Sequence, residues 1–363
     1  MNEDPHNYFM ALALKLASKG SEQTKPNPKV GALLVKEGEV VGKGYHVKAG
    51  DNHAEVIAIK EAGLKANGST LYITLEPCSH HGKTPPCVDL IIQSGVREVV
   101  VACKDPNPHV NGGGLDILKT HNIKVIEDVL SSQATELNKG FFSRMSIKRP
   151  YVRSKIATSI DGKTSLKSGD SKWITSDFAR KDVQQWRKNA CAIITGVNTI
   201  NKDNPQLNVR LNDTNHQPYR VILDTHLSID LDAKILKQKK IILAFGNDPD
   251  GKLDTLQKIN IHCLKLPIYK NFIDLNRLMR ELTNLECNDI LVESGPTLNG
   301  RLLEQNLIDE LILYMAPIIM GGEANPIFKN PVLNSMQEKI KLEKKDVRYF
   351  GDNLRLIMKV LQN

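Results

Sequence analysis

Residues 53–87 read HAEVIAIKEAGLKANGSTLYITLEPCSHHGKTPPC, and this stretch contains three different patterns in succession. The segment AEVIAIKEAG has the spacing of an amphipathic helix that stops at Gly63. STLYITLEP then predicts a strand, and the strand leads into a loop bounded by Cys78 and Cys87. A helix followed directly by a strand is the repeating step of an α/β fold.

The sequence on both sides of this stretch continues the alternation. Upstream, a helical pattern from Tyr8 to Ala17 ends at Gly20, and VGALLVKEGEVVGKGYH predicts two short strands joined by a Glu-Gly turn. Downstream, CVDLIIQSG predicts a helix, and REVVVACKDP and HNIKVIED predict strands. This order of elements indicates an α/β layered sheet.

The length of the chain predicts two domains, because 363 residues exceed what a single core of ordinary size holds. We place the boundary near FFSRMSIKRPYV, where a helix ends and Pro150 precedes a new strand. The expected domains are residues 1–147 and 148–363. In the second part the strand candidates are YVRSKIA, CAIITG, RVILD, KIILAFG, DILVES, LYMAPIIMGG and NLRLIMKVLQ, and SDFARKDVQQWRKN predicts a helix.

The composition is that of a soluble globular protein, with 40% hydrophobic and 25% charged residues. No apolar run is as long as a membrane span, and the first residues lack the basic start of a signal peptide. The six cysteines have no framework spacing, which favours thiols or metal ligands over disulfides. We therefore expect a cytoplasmic protein.

The net charge of +8 is unevenly distributed along the chain. Residues 1–147 contain 16 basic and 16 acidic residues, whereas residues 148–363 contain 33 and 25. A solvated lysine-rich surface accounts for most of this excess positive charge. The more specific interpretation is that residues 148–363 bind a phosphate-bearing ligand. No basic tail or aromatic-basic repeat supports binding to nucleic acid.

Cys78 and Cys87 alone are too few ligands for a closed structural zinc site, which needs four. A further candidate ligand lies upstream, where His53 stands at the entry to the predicted helix and Glu55 follows two residues later. HAE, a strand, a Pro-Cys pair and a second Cys in this order match the zinc deaminase signature. One imidazole and two thiolates leave a fourth zinc position for water, whose pKa the metal lowers, and Glu55 is then placed to move protons.

Other interpretations of single residues in this region remain open. His53 could merely cap the helix, and either His80 or His81 could ligate a metal in its place, although the helix-entry position favours His53. Asp105 and Asn107 follow a strand, where they could border a pocket or simply form a turn.

The spacing of the site and its surroundings resembles a known family. Zinc deaminases commonly close the site with PCxxC, whereas this chain inserts SHHGKTPP between Cys78 and Cys87. With TKPNPKVG and HVKAGDNHAE upstream, the pattern resembles the deaminase half of the bifunctional riboflavin-biosynthesis deaminase/reductases. The resemblance implies a cytidine-deaminase-like three-layer α/β/α domain acting on a diaminopyrimidinone that carries a ribosylamino 5-phosphate. It also implies that Asn27 and His46 contact the pyrimidine, and that the inserted loop, with His80, His81 and Lys83, faces the substrate and its phosphate.

The second part has no G-x-G-x-x-G after an opening strand, so a standard dinucleotide-binding fold has no support. It is instead similar to the reductase half of the same family in YVRSKIATSIDGKT, SKWITS, GVNTINKDNPQLNVR and LVESGPTLNGRLL. The resemblance implies a dihydrofolate-reductase-like α/β fold that uses NADPH. Ser294 is a minor departure from the family pattern, because the flanking Glu293 and Gly295 remain.

The same resemblance implies the site residues of the second part. Those of the cofactor site are Ala157, Trp173, Thr175, Thr199, Asp203, Gly295, Pro296, Thr297, Leu298, Asn299, Gly300 and Arg301. Those of the phosphoribosyl substrate are Ser171, Arg187, Leu207, Arg210 and Glu293. Lys155 could polarise the sugar carbonyl or pair with Glu293, and the simpler alternative is that it is an exposed lysine at a strand edge. For Trp173, the simpler alternative is a position in the core.

The leading hypothesis is an enzyme of two steps, zinc-dependent deamination of the pyrimidine and NADPH-dependent reduction of its ribosyl group. A nucleic-acid deaminase with an accessory domain is the rival enzyme, and the zero net charge of residues 1–147 counts against it. A zinc-stabilised binding module is the third alternative, and it would require a fourth protein ligand. We expect one Zn²⁺ per chain, NADPH, a phosphoribosyl pyrimidine substrate and a homo-oligomer, with no nucleic-acid or membrane partner.

Overall fold

The computed structural model describes residues 4–79, 86–108, 110 and 112–361. The chain divides into two compact units, Met1–Lys148 and Arg149–Asn363. Each unit contains its own sheet and its own apolar clusters. Among the described residues, every helix is too short or too polar to cross a membrane.

The first unit alternates helices and strands as the sequence pattern predicts. Its helices are α1 Pro5–Ala17, α2 Ala54–Ala62, α3 Cys87–Gln93, α4 Gly113–Thr120, α5 Ser131–Leu137 and α6 Lys139–Ser146. Its strands are β1 Gly31–Lys36, β2 Glu39–Tyr45, β3 Thr70–Ile73, β4 Glu98–Val101 and β5 Lys124–Ile126.

The sheet of this unit has the strand order β2-β1-β3-β4-β5. β1 is antiparallel to both β2 and β3, whereas β3, β4 and β5 are parallel to one another. One apolar cluster joins α2, α3 and α4 to the strands, and another joins α1, α5 and α6 to them. The unit is therefore a three-layer α/β/α fold, which confirms the predicted fold class.

Two local features position the start of α2, where the predicted metal ligand lies. Glu37 and Gly38 turn β1 into β2 with positive φ angles of 53° and 81°, the backbone of a tight hairpin. On β2, a Cβ at Gly42 or Gly44 would stand 2.3 Å from a carbonyl oxygen of α2. The absence of side chains at these two positions lets the helix lie directly on the strand.

The second unit contains the remaining elements. Its helices are α7 Asp177–Asn189, α8 Val197–Asp203, α9 Leu253–Lys258, α10 Leu275–Asn284 and α11 Pro296–Glu304. Its strands are β6 Tyr151–Ser159, β7 Lys163–Ser165, β8 Ala192–Gly196, β9 Tyr219–Leu223, β10 Ile241–Phe245, β11 His262–Lys265, β12 Ile268–Tyr269, β13 Phe272–Ile273, β14 Asp289–Val292, β15 Glu310–Ala316, β16 Asn325–Pro326, β17 Lys341–Phe350 and β18 Asn353–Leu361.

Nine of these strands form one sheet in the order β11-β10-β9-β8-β14-β6-β15-β18-β17. The strands from β11 to β15 are parallel, and β18 and β17 complete the sheet as an antiparallel pair. Two large apolar clusters contain residues from the sheet and from the helices. In such open parallel sheets, ligands bind beyond the carboxyl ends of the strands.

Two details of the second unit differ from the sequence prediction. The strand predicted for LYMAPIIMGG ends at Ala316, because Pro317 has no N–H to continue the hydrogen-bond ladder. The sequence does not predict β17, since KLEKKDVRYF is mostly charged and lacks a regular apolar alternation.

Candidate functional sites

Three side chains with metal-binding atoms meet in the first unit: His53, Cys78 and Cys87. Their ligand atoms all lie within 4.8 Å of one another. His53 Nδ1 is 3.2 Å from the sulfur of Cys87 and 3.7 Å from that of Cys78. His53 is the N-cap of α2 and Cys87 is the first residue of α3, so two helix N-termini converge on the cluster.

The cluster stabilises negative charge on sulfur. The Cys87 backbone N–H donates to Cys78 Sγ over 3.4 Å, and the positive end of a helix dipole favours a thiolate. Hydrogen bonding from the Cys87 thiol, together with His53, lowers the pKa of Cys78 against the opposing effect of burial. The partner thiol, Cys87, has a raised pKa because it donates to Cys78 and is buried. One imidazole and two sulfur ligands are a donor set that suits Zn²⁺.

Glu55 lies in the first turn of α2 and is only 3% exposed. Burial raises the pKa of its carboxyl group, and the positive charge of His53 opposes this shift. The Cys87 thiol also opposes the rise in the pKa of Glu55, because the carboxylate lies beside the cluster. An acid–base group is thus held next to a possible metal position.

Asn27 and His46, the two residues expected to contact the pyrimidine, lie together next to the cluster. Asn27 Nδ2 is 3.3 Å from His46 Nε2. The ring of His46 packs edge-on against the ring of His53, with 5.5 Å between the two ring centroids. His46 Nδ1 is 3.3 Å from the carbonyl oxygen of Asn52, and burial lowers the pKa of the imidazole. The loop residues His80, His81 and Lys83, also candidates from the sequence, lie outside the described residues.

Glu76 supports the site, although the sequence motif did not identify it. Its buried carboxylate accepts hydrogen bonds from the backbone N–H groups of Asp105, Gly112 and Gly114, at 3.1, 2.9 and 3.1 Å. It thereby ties the segment after β4 to the turn that carries Cys78. The position of a glutamate directly after an apolar strand, immediately before Pro-Cys, could have indicated such a role.

The segment held by Glu76 includes Asp105 and Asn107, for which the sequence allows either a pocket or a turn. Asp105 is buried, and burial raises the pKa of its carboxyl group to about 6. Its Oδ1 accepts the backbone N–H of Asn107 over 2.8 Å, which is the hydrogen bond of a local turn. The turn interpretation therefore describes their geometry, and a role at the site stays a prediction.

The second unit contains a cavity of about 1000 Å³ at the carboxyl ends of β6, β8, β9 and β14. Most of the residues predicted for the reductase site contribute to its lining. These are Lys155, Ala157, Ser171, Trp173, Thr175, Arg187, Thr199, Asp203, Leu207, Arg210, Glu293, Gly295, Pro296, Thr297, Leu298 and Arg301. The volume is large enough for a cofactor and a substrate together.

Two of the predicted cofactor residues lie outside the lining of this cavity. Asn299 is buried and its Oδ1 accepts hydrogen bonds from the hydroxyl groups of Ser154 and Ser294, each at 2.9 Å. A Cβ at Gly300 would stand 2.6 Å from the backbone of Asn330. Both residues fix α11 against neighbouring segments, and their contact with the cofactor stays a prediction.

Lys155, Arg187 and Glu293 form a buried charge cluster in the cavity wall. Arg187 binds Glu293 through two hydrogen bonds of 2.6 and 3.1 Å, and Lys155 Nζ is 3.9 Å from the same carboxylate. Burial lowers the pKa of Lys155 and outweighs the charge of Glu293. For Glu293, burial is outweighed by the two cations, and its pKa falls below the usual range.

The arrangement of this cluster changes the interpretation of its members. Lys155 is not an exposed strand-edge lysine, since its side chain is only 19% accessible. Arg187 already pairs with Glu293 and donates to the carbonyl oxygen of Asn208 over 3.1 Å. The exposed Arg210 is therefore the better placed of the two predicted arginines for a phosphate group.

Aromatic and amide side chains complete the cavity. Trp173 is 72% exposed and is not a core residue, and the guanidinium of Arg180 lies 4.4 Å from its ring centroid. Arg301 stacks on Phe272 at 3.7 Å. Gln184, on α7, accepts the backbone N–H of Arg210 over 2.9 Å. No signal in the sequence pointed to Gln184 or Phe272, because each is an isolated residue without a motif.

Two family models match the chain. Residues 3–103 match the cytidine and deoxycytidylate deaminase zinc-binding region, and residues 150–356 match the RibD C-terminal domain. The first match contains the His53–Cys78–Cys87 cluster, and the second contains the lined cavity.

Whole-chain relatives agree with these matches. The riboflavin biosynthesis protein RibD of Escherichia coli (strain K12) is 41% identical over 96% of this chain and 98% of its own length. The riboflavin biosynthesis protein RibD of Aquifex aeolicus (strain VF5) is 42% identical over 97% of this chain and 97% of its own length.

Solved structures show the same similarity. Acinetobacter baumannii RibD superposes with a TM-score of 0.90 at 40% identity, covering 99% of both chains. The diaminohydroxyphosphoribosylaminopyrimidine deaminase/5-amino-6-(5-phosphoribosylamino)uracil reductase of Thermotoga maritima has a TM-score of 0.85 at 32% identity, covering 98% of this chain and 99% of that one.

Proposed function

This chain belongs to the RibD family of bifunctional riboflavin-biosynthesis enzymes, and we propose that its first unit is the deaminase and its second unit the reductase. The deaminase hydrolyses an amino group from 2,5-diamino-6-(5-phosphoribosylamino)pyrimidin-4(3H)-one, and the reductase converts the ribosyl group to ribityl with NADPH. The product is 5-amino-6-(5-phosphoribitylamino)uracil.

The observation that carries the proposal is the cluster of His53, Cys78 and Cys87 beside the buried Glu55. Among the described residues, three ligand atoms converge here, a number typical of a catalytic rather than a structural zinc site. These three residues would hold zinc, which would supply Lewis acidity for the attack of water on the pyrimidine. Glu55, buried beside them, would accept a proton from the attacking water and donate it to the departing ammonia, as a general base and then a general acid.

Asn27 and His46 would orient the pyrimidine in this site. The amide of Asn27 offers both a donor and an acceptor to the edge of the ring. His46 is held in place by the carbonyl oxygen of Asn52 and by the ring of His53. Lys83, in the loop inserted between the two cysteines, would contribute a point charge for the substrate phosphate.

In the second unit, the cavity at the strand ends would hold NADPH beside the phosphoribosyl group. The segment Gly295 to Arg301 begins α11, and a helix N-terminus suits the phosphates of the cofactor. Lys155 would donate a hydrogen bond to the sugar oxygen that gains electron density as hydride is transferred. The carboxylate of Glu293 would keep the ammonium group of Lys155 in position. Arg210 would bind the 5-phosphate of the substrate.

Incubation of the purified protein with the diaminopyrimidinone phosphoribosyl substrate tests the proposal. We expect ammonia release without NADPH, and oxidation of NADPH only after deamination. Ammonia release from transfer RNA or single-stranded DNA, with none from the pyrimidine, would favour the nucleic-acid deaminase. Zinc binding without either reaction would favour the binding module.

We further propose a cytoplasmic location and a homo-oligomeric state. All six cysteines are free thiols in the structure, which suits a reducing compartment. Cell fractionation tests the first proposal, and the mass of the particle in solution tests the second.

A further inference from the structure

Residues 207–210 of the second unit lie outside its helices and strands, although they form part of the cavity wall. Leu207 and Val209 are buried, and they alternate along the chain with Asn208 and Arg210, which line the cavity. A segment of this kind has no sheet to satisfy its backbone N–H and C=O groups, so other groups must do so.

Two glutamine side chains provide partners for this backbone. Gln184, a buried residue of α7, accepts the backbone N–H of Arg210 over 2.9 Å. Gln217, two residues before β9, accepts the backbone N–H of Val209 and donates to the carbonyl oxygen of the same residue, both over 2.9 Å. The amide of Gln217 thus satisfies both backbone groups of Val209, as a neighbouring strand would.

A further contact comes from the same face of α7. Arg187, three residues after Gln184, donates to the carbonyl oxygen of Asn208 over 3.1 Å. Residues three apart on a helix are neighbours on its surface, so α7 holds the segment at two points. Side chains therefore bind the backbone of three consecutive residues, 208–210.

The segment begins with a strained residue. Leu207 has a φ angle of 49°, in the left-handed region, where the Cβ of any residue but glycine crowds the following carbonyl oxygen. Such a conformation persists only where the surrounding contacts enforce it, and it is common at ligand sites. The hydrogen bonds to residues 208–210 follow it directly and stabilise this shape of the backbone.

Arg210 stands at the end of this segment, where it is exposed and lines the cavity. We propose that Gln184 and Gln217 are positioning residues of the reductase: they fix the backbone of Val209 and Arg210, so that the guanidinium of Arg210 meets the 5-phosphate of the substrate. This inference rests on the proposed function, in which Arg210 binds that phosphate.

The position of the backbone matters because a guanidinium binds phosphate best through two parallel hydrogen bonds, which require one orientation of its plane. A backbone that is fixed before binding also reduces the conformational entropy that is lost when the ligand binds. Gln184 is among the described residues that line the cavity, whereas Gln217 is not. Any effect of Gln217 on the phosphate would therefore pass through Val209 and Arg210.

Binding of ribose 5-phosphate to the full-length protein tests the proposal, with calorimetry for tight binding and ligand-observed NMR for weak binding. Gln184→Met and Gln217→Met keep the length of each side chain and remove its amide. Each substitution should raise the dissociation constant for ribose 5-phosphate at least about tenfold, or about 1.4 kcal/mol. The dissociation constant for NADPH should stay within about twofold of wild type, because Arg210 does not hold the cofactor. A merely structural role would weaken the binding of both ligands.

The same two substitutions on an Arg210→Ala background separate positioning from direct contact with the phosphate. There each should change the dissociation constant for ribose 5-phosphate by less than about twofold, because the group that the glutamines position is absent. Gln185→Met is the matched control, since Gln185 is the next residue of α7 and is exposed, and it should keep the wild-type affinity.

The melting temperature establishes that each variant is folded, and each glutamine is tested separately, so a variant that does not fold leaves the other to decide. A wild type that does not bind ribose 5-phosphate would overturn the proposal. So would folded variants that keep the wild-type affinity, or that lose affinity for NADPH by the same factor, or that show the same loss without Arg210. The measurement needs no turnover: a wild type that binds the sugar phosphate but does not oxidise NADPH would contradict the proposed function alone.

Discussion

Neutralising Glu293 should destabilise the second unit, because this carboxylate balances two buried cations. Glu293→Gln keeps the size of the side chain but removes its charge. Arg187 and Lys155 are only 12% and 19% accessible, so they would remain in the wall without a counter-charge. Breaking a buried ion pair in this way destabilises a protein by about 3–5 kcal/mol.

We expect a destabilisation of about 3 kcal/mol, the lower end of that range. Lys155 can lose its proton, which removes its repulsion with the guanidinium of Arg187. Its pKa is already lowered by burial in the wild type. For a unit of this size, 1 kcal/mol corresponds to about 2–4 °C in melting temperature, so the predicted decrease is about 6–12 °C.

Tryptophan fluorescence measures this transition, because both tryptophans of the chain, Trp173 and Trp186, lie in the second unit. Asp213→Asn is the matched control: its partner Lys188 is also on α7, but Asp213 is 63% accessible, and such exposed pairs contribute about 0–1 kcal/mol. Adding Arg187→Met to Glu293→Gln should recover much of the loss, because one uncompensated cation is then removed.

The pH dependence gives a second check. The pKa of Glu293 is lowered in the folded protein, so its contribution is present above its ordinary carboxyl pKa of 4.5 and is lost as the pH falls through the lower folded value. The difference in melting temperature between wild type and variant should be present at neutral pH and should shrink as the pH falls through the folded pKa of Glu293. Two results together would refute the argument that the Arg187–Glu293 pair is shielded from solvent. The variant would melt within about 2 °C of wild type at neutral pH, and this difference in melting temperature would not change in acid.

Three further predictions concern the first unit. Purified protein should hold about one zinc per chain, and Cys78→Ala should lose it, whereas full retention measured by metal analysis would contradict the ligand assignment. Glu55→Gln should retain zinc while ammonia release falls about 10²–10⁴-fold, and near wild-type release would exclude its acid–base role. Glu76→Ala should leave three backbone N–H groups without their acceptor and raise hydrogen exchange at Gly112 and Gly114, and unchanged exchange there would show that the segment does not depend on this carboxylate.

Local pattern was sufficient for most elements. The Glu-Gly turn between two apolar segments predicted the hairpin of β1 and β2, and Gly63 predicted the end of α2. Prediction failed where local signals were weak or conflicting. β17 is built mostly of exposed polar residues and is held by its partner β18, so its own sequence has little strand character.

The candidate sites divide in the same way. The order His-Ala-Glu, Pro-Cys and Cys predicted the cluster of His53, Cys78 and Cys87, because ligand chemistry restricts the residue types at those positions. Glu76 and Gln184 were missed, since their importance comes from hydrogen bonds to backbone groups 26 to 38 residues away. No short segment of sequence contains both partners of such a bond.

The sequence by itself determined the α/β class, the positions of most helices and strands, and which three residues form the His53–Cys78–Cys87 cluster, because periodicity, turn residues and residue type are local properties. Only the tertiary structure decided that Arg187 pairs with Glu293, 106 residues away, and that Lys155 joins them. The reason is the strand order: β14 lies between β6 and β8 in the sheet, so residues from distant segments meet at one edge. The number of residues between two strands does not predict whether they are neighbours in the sheet. The strand order is set by how all the strands pack together.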